Sequence, residues 1–274
     1  MTDRTQAGEV KQISSLTNPW VKDVRALSMK KTRDETGQFL GEGLKLVTDA
    51  LAENWPVDAI AFTPAVREQP HVAKAAATVR ARGGSVMEVS EAVLAKITRR
   101  ENPQMVVGVF RQRLKPLKEV KVGKGELYVA LEQVRDPGNL GTIIRTVDSV
   151  GAKGVILVGE TCDPYSFEAV RATMGSMFHV PLSRTSREAF IDWARAGSLR
   201  LVGTHLKATH DYRKVESEAP TVLVMGNEQA GMTDEMSEAC TVRVKIPMAG
   251  QADSLNLAVA TGVMLYELRR EALS

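Results

Sequence analysis

Between residues 127 and 247 the chain repeats one arrangement: a short aliphatic run, a polar or glycine-bearing turn, and a helix-forming stretch. The runs are "LYVAL" (127–131), "GVILVG" (154–159), "HVPL" (179–182), "LRLVGTHL" (199–206), "TVLVMG" (221–226) and "TVRVKIP" (241–247). They are apolar almost continuously. Strands of that kind need cover on both faces, as in a parallel sheet, whereas a half-wet antiparallel sheet alternates apolar and polar residues. With helices between most of the runs, the pattern predicts an α/β fold with a parallel sheet flanked by helices. At 274 residues, 43% hydrophobic and 25% charged, the chain can bury a sizeable core and build a second unit.

A smaller α/β alternation comes first. "NPWVKDVRALSMKKTRDETGQ" (18–38) reads as a basic amphipathic helix with Trp20, Val21, Val24 and Leu27 on one face. After it come a short strand edge and a helix carrying Leu44, Val47 and Leu51, then "VDAIAFTP" as strand, "HVAKAAATVRARGG" as helix, "SVMEVS" as strand, "EAVLAKIT" as helix and "MVVGVF" as strand, ending near Phe110. "RQRLKPLKEVKVGKGE" (111–126) is charged, contains Pro and Gly, and lacks an apolar stripe, which reads as a linker. The expected division is a unit over 1–112, a linker over 113–125 and a second unit over 126–274.

Cys162 and Cys240 stand far apart without CxxC or Cys/His spacing, so a disulfide framework or zinc site is not expected and a reducing compartment fits. His71, His179, His205 and His210 form no HExxH or similar ligand motif, and no metal is expected. "MTDRTQAGEVKQ" has no apolar leader core, and no run of about eighteen apolar residues occurs. The expectation is a soluble cytoplasmic protein without a membrane partner. A net charge of +3 is compatible with nucleic acid but does not require it.

Chemistry in an open parallel sheet gathers in loops at the carboxyl ends of strands. "QVRDPGNLGTIIRT" follows "LYVALE"; Leu140, Ile143, Ile144 and Val147 mark the buried helix face, leaving Asn139 and Arg145 off it. By themselves these two read equally as a capping residue and a solvated cation. "NEQAGMTDE" follows "TVLVMG", with Gly226 and Gly231 bracketing a tight backbone excursion around Glu228, which also reads as turn chemistry. "IPMAGQADSLN" follows the last strand; a single Asp or Ser suffices to cap the final helix, so Ser254 and Asn256 together are more than a cap requires. No P-loop and no GxGxxG turn after the first strand is present.

Together, "DPGNLGTIIRT", "VMGNEQAGM" and "IPMAGQADSLNLAVATG" resemble, in order and spacing, the three motifs of SpoU/TrmH-type RNA 2′-O-ribose methyltransferases of the knotted SPOUT superfamily. "KKTRDETGQFLGEGLKLVTDAL" and "NPQMVVGVF" resemble the L30e-like substrate-binding domain often fused to them. The resemblance implies an α/β chain with a C-terminal knotted SPOUT methyltransferase domain and a smaller N-terminal α/β L30e-like domain. It implies S-adenosylmethionine as methyl donor, a ribose 2′-hydroxyl in structured RNA as acceptor (rRNA favoured over tRNA), and a homodimer. It also implies Asn139, Arg145, Glu228, Ser254 and Asn256 as catalytic residues, with Glu228 orienting Arg145 or the substrate, Ser254 capping the last helix and Asn256 pointing a second polar group toward the site. Cofactor contacts are implied at Thr204, Met225, Gly226, Asn227, Gly231, Ile246, Pro247, Met248, Ser254, Leu255 and Asn256. Because a guanidinium stays charged in proteins, Arg145 is expected to stabilise an oxyanion, not to abstract a proton. The N-terminal cations Lys22, Arg25, Lys30, Lys31, Arg33, Arg99 and Arg100 are expected to meet RNA phosphates. The competing readings are a tRNA 2′-O-methyltransferase and a catalytically silent RNA-binding or ribosome-assembly protein of the same fold.

Overall fold

The computed structural model describes residues 7–206, 208–215 and 219–274. The chain forms two compact units, Met1–Gln112 with Tyr165–Phe178, and Arg113–Pro164 with His179–Ser274.

The first unit contains β1 (Val10–Ile13), α1 (Pro19–Ala26), α2 (Lys30–Thr36), β2 (Gln38–Glu42), α3 (Leu44–Ala52), β3 (Val57–Phe62), α4 (Pro70–Ala81), β4 (Ser85–Val89), α5 (Glu91–Thr98) and β5 (Val106–Arg111). Its sheet runs β1-β4-β3-β5-β2 among the described residues, with β1, β4 and β3 parallel and β5 antiparallel to β3 and β2. β1 buries only Ile13, so it has no apolar pattern by which the sequence would show it. The single basic helix expected over 18–38 is two helices. α1 ends at Leu27 with tightened backbone bonds (Ser28 N–H to Arg25 O, Met29 N–H to Ala26 O), and the freed Leu27 carbonyl accepts from Arg33 Nη1 at 2.8 Å. Val21, Val24 and Leu27 are buried, and Trp20 packs partly against the same core.

The second unit contains β6 (Leu127–Glu132), α6 (Pro137–Ser149), β7 (Val155–Val158), β8 (Leu182–Thr185), α8 (Arg187–Ala196), β9 (Arg200–Thr204), β10 (His210–Asp211), β11 (Thr221–Met225), α9 (Asp234–Ala239), β12 (Val242–Lys245) and α10 (Leu257–Leu268). The strand order is β10-β12-β9-β11-β6-β7-β8 among the described residues, and every neighbouring pair is parallel. β6, β7 and β11 are buried along their whole length, as continuous apolar runs require. β8 begins where the run expected as a strand (179–182) ends, and β10 is too short to leave a periodic signal.

The stretch 113–125 lies against this second unit. Lys115 N–H donates to Leu182 O at 2.8 Å, Trp193 Nε1 donates to Val120 O at 3.2 Å, and Leu117, Val120 and Val122 join the core around Tyr128 and Phe190. The spacing of those three apolar residues matches neither helix nor strand, so no stripe is visible in sequence. Residues 165–178, beyond β7, join the first unit through α7 (Phe167–Ala172) and an aromatic cluster. Phe39 lies 4.8 Å from Tyr165 and 5.3 Å from Phe110, and Phe178 lies 5.1 Å from Phe110 and 5.2 Å, edge-on, from Trp55. Centroid separations in this range are the favourable ones for aromatic pairs.

Candidate active site

β6 and β11 are neighbours, so the loops after them meet at the carboxyl edge of the second sheet, and β9 and β12 end alongside. α6 begins at Pro137 with Asp136 as its cap; Asp136 Oδ1 accepts from Asn139 N–H at 2.5 Å. Asn139 is therefore not the capping residue, and its side-chain amide is left free to act between loops. Asn139 Nδ2 donates to Glu228 Oε1 at 3.3 Å, and Asn139 Oδ1 accepts from Asn256 Nδ2 at 2.9 Å. One continuous polar chain thus joins the three sequence motifs.

Glu228 also accepts from the backbone N–H groups of Arg135 and Asp136, each at 3.2 Å. Partial burial raises its pKa, but the backbone N–H groups of Glu228 itself, Asp136 and Arg135, with the Asn139 amide, outweigh that and hold the carboxyl below its ordinary 4.5. The second loop is built for this approach. Asn227 and Gly231 exchange backbone hydrogen bonds of 2.9 and 3.0 Å, Asn227 Oδ1 accepts from Gln229 and Ala230 N–H, and Asn227 Nδ2 donates to Gln133 O at 2.8 Å. A Cβ on Gly226 would stand 2.1 Å from Met232 N, so no other residue fits there.

The third loop corrects one expectation. The cap of α10 is Asn256, whose Oδ1 accepts from Ala258 and Val259 N–H at 2.9 and 3.2 Å, while Ser254 is exposed and caps nothing. Asn256 therefore performs both tasks, capping with its oxygen and holding Asn139 with its nitrogen. Arg145 stands apart from this network: its side chain is exposed, with no ion pair among the described residues, and Glu228 orients Asn139 instead of Arg145. Six residues along α6 place Arg145 about 9 Å further down the axis from Asn139.

Of the expected cofactor positions, Thr204 and Met225 end the adjacent strands β9 and β11, with Thr204 Oγ1 3.5 Å from Met225 Sδ. Ile246, Pro247 and Met248 continue directly from β12, and Leu255 is half-buried just before α10. From Pro247 to Leu255 no backbone group has a backbone partner among the described residues. Free peptide donors and acceptors beside aliphatic side chains fit a ligand with a neutral heteroaromatic ring and a polar amino-acid end. Among the N-terminal cations, Lys22, Arg25, Lys30, Lys31 and Arg99 are exposed, and Arg100 is paired with Glu42 at 3.2 Å. Arg33 is only 4% exposed and committed to Leu27 O, which withdraws it from any RNA-contacting set.

Sequence reading missed the groups beneath the loops. Glu132, at the end of β6 and 1% exposed, accepts from Arg187 Nε at 2.7 Å, Thr233 N–H at 2.9 Å and Thr233 Oγ1 at 2.8 Å, tying the first loop to the end of the second. Cys162 also lies close to this site, with no ligand spacing in the sequence to mark it. Burial first, then the nearby Glu228, Asp136 and Asp163 carboxylates, push its thiol up to about 12, so it is neutral at physiological pH and no nucleophile.

Residues 126–266 match the model of the SpoU rRNA Methylase family, and residues 18–108 match an MRM3-like substrate binding domain. The chain belongs to the SpoU rRNA methylase family. This SpoU-family chain is 33% identical to the 23S rRNA (guanosine(2553)-2'-O)-methyltransferase RlmP of Bacillus subtilis, over 95% of the chain and 100% of that protein. It is 31% identical to the 23S rRNA (uridine(2479)-2'-O)-methyltransferase of Streptomyces viridochromogenes, over 90% and 88%. The crystal structure of an AdoMet-bound rRNA methyltransferase from Sinorhizobium meliloti superposes with a TM-score of 0.92 at 55% identity, covering 97% of this chain and 99% of that one.

Proposed function

We propose that this SpoU-family enzyme methylates a ribose 2′-hydroxyl of ribosomal RNA with S-adenosylmethionine as cofactor. The observation that carries the reading is the Asn256–Asn139–Glu228 chain, which locks three strand-end loops into one polar edge. The cofactor supplies an electrophilic methyl group on a positively charged sulfur. Thr204, Met225, Gly226, Asn227, Gly231, Ile246, Pro247, Met248, Leu255 and the backbone beside Ser254 hold it. Asn139, set by Asn256 on one side and Glu228 on the other, orients the ribose. Arg145 carries an uncompensated guanidinium on the exposed side of α6, where it binds the neighbouring phosphate and stabilises charge developing on the 2′-oxygen. Holding the 2′-oxygen in line with the methyl group would contribute the rest, with the hydroxyl proton released to solvent water and the neutral thioether as the leaving group.

The working unit is a homodimer. α10 carries a single charged residue, Glu267, yet Val259 and Tyr266 are each 53% exposed, and Gly262 and Val263 lie between them on the same face. An apolar helix face left in water is a partner surface. The C-terminal segment forms the trefoil knot of the superfamily, and the enzyme works in the cytoplasm, where its RNA is. No helix among the described residues is long and apolar enough to cross a membrane. The test is methyl transfer from labelled S-adenosylmethionine to in vitro-transcribed 23S rRNA, followed by alkaline hydrolysis, which 2′-O-methylation blocks at the modified nucleotide. Label on a base, or none in any rRNA, removes the proposal.

A further inference from the structure

The first unit holds a cavity of about 360 Å³ walled by the α1–α2 turn, β2, the end of α5 and α7. Its charged lining is Arg99, Arg100 and Arg171, and no carboxylate residue contributes to its wall. Arg100 is occupied by Glu42, but Arg99 and Arg171 are exposed and have no ion pair among the described residues. Arg99 stands at φ 57°, in the left-handed conformation at the end of α5, a position where helices ordinarily place glycine. Keeping a long cation there is a local conflict of the kind that gathers at functional sites. Phe167 forms a half-buried aromatic wall. In the same wall Ser28 Oγ is buried with no hydrogen-bond partner, a state uncommon enough to need an explanation.

We propose that this cavity receives one unstacked nucleotide of the RNA substrate, its base against Phe167, its phosphate between Arg99 and Arg171, and a sugar or base polar atom on Ser28. The inference rests on the reading that the enzyme acts on RNA and adds where a nucleotide other than the methylated one is held. The volume lies in the range of small-ligand sites, roughly 300–1,000 Å³, which admits a single nucleotide and excludes a duplex. Proteins read RNA largely through bases splayed out of loops and stacked on aromatic rings, and guanidinium forks match phosphate geometry. An acidic peptide would satisfy the arginines but give the aromatic wall no stacking partner.

Arg99→Gly suits the left-handed backbone and Arg171→Gln is an exposed change, so the double variant should fold. Full-length protein and in vitro-transcribed 23S rRNA are compared in binding titrations at several salt concentrations. The expected result is at least tenfold weaker binding and a salt slope shallower by about 0.7, the contribution of one single-strand phosphate. Calorimetric affinity for S-adenosylmethionine should match the wild type, since its site lies in the other unit. Wild-type RNA affinity and salt slope in the double variant overturn the inference while leaving the methyltransferase reading intact; a wild-type protein that methylates no rRNA defeats that reading separately. Photocrosslinking with 4-thiouridine transcripts should label the peptide containing Phe167, and a map that avoids 165–171 counts against the site. Free nucleoside monophosphates should compete only at concentrations far above the RNA. Competition at the concentration of the RNA itself would assign the cavity to a free nucleotide and overturn the RNA assignment.

Discussion

Asn256 shows how much one side chain can decide. Its oxygen caps α10 and its nitrogen fixes Asn139, so the two roles separate by substitution. Asn256→Ala should lose about 1 kcal/mol of stability, the usual cost of a lost cap, together with the methyl-transfer rate. Asn256→Asp should keep the cap and the melting temperature but still slow transfer, because an acceptor would face Asn139 Oδ1 where a donor is required. Melting curves beside single-turnover methylation check the pair, and a fast Asp variant would detach Asn139 from the chemistry. Arg145→Ala should leave stability within about 0.5 kcal/mol, as exposed substitutions do. It should slow single turnover on the order of a hundredfold, the scale of losing one preorganised donor. Near-normal turnover would return Arg145 to the solvated surface. Glu228 predicts a pH effect. Its folded pKa lies below the ordinary 4.5, so its contribution to stability is present above that value and is lost as pH falls through the depressed one. Glu228→Gln should therefore flatten the acid limb of the melting temperature against pH, and an unchanged limb would show that the hydrogen bonds to Glu228 contribute nothing. Residue types at 139, 145, 228 and 256 were legible in the sequence. Which oxygen or nitrogen of each meets which neighbour was not, because Asn139 and Asn256 are 117 positions apart and only the packing of α10 on α6 brings them together.

At the scale of elements, the loops depend on a buried tie below them. Glu132 ends β6, Thr233 caps α9 and Arg187 opens α8, so one carboxylate holds three elements at the sheet's carboxyl edge. Glu132→Gln would set an amide N–H against these donors. The expected loss is about 2 kcal/mol, bounded because Arg187 is partly exposed and keeps Glu235 at 2.6 Å. Cofactor affinity by calorimetry should fall with it, since the second loop, which Glu132 anchors through Thr233, carries the proposed cofactor positions Gly226, Asn227 and Gly231; undiminished affinity would make this tie a matter of stability alone. Strands with continuous apolar runs were readable because burial on both faces leaves no alternation. β1 and β10 were not, since an edge strand with one buried residue and a two-residue strand take their existence from the neighbour they pair with. The same limit split the basic helix at Leu27. An apolar stripe shows which face is buried but not where a carbonyl is turned toward a distant guanidinium.

Across the whole molecule, the first unit is completed by a segment that lies between β7 and β8 in the chain. Tyr165, Met177 and Phe178 are buried there, against Phe39, Trp55 and Phe110 in the case of the two aromatics. A fragment of residues 113–274 should therefore expose these side chains, bind a hydrophobic dye and aggregate, and replacing 165–178 by a Gly/Ser linker of equal length should relieve both. Light scattering and dye fluorescence check this, and a clean monodisperse unmodified fragment would show that 165–178 finds cover elsewhere. The sequence by itself determined the α/β class, the parallel character of the second sheet, the three motif loops and the family. These follow from local composition and order, which burial and backbone conformation impose residue by residue. Tertiary structure alone decided that 165–178 completes the first unit, that Asn256 and not Ser254 caps the last helix, that Arg33 is interior, and that Glu132 anchors the site. Each of those depends on contacts between residues remote in sequence, and hydrogen-bond geometry and aromatic packing are satisfied in space, where no periodicity along the chain records them.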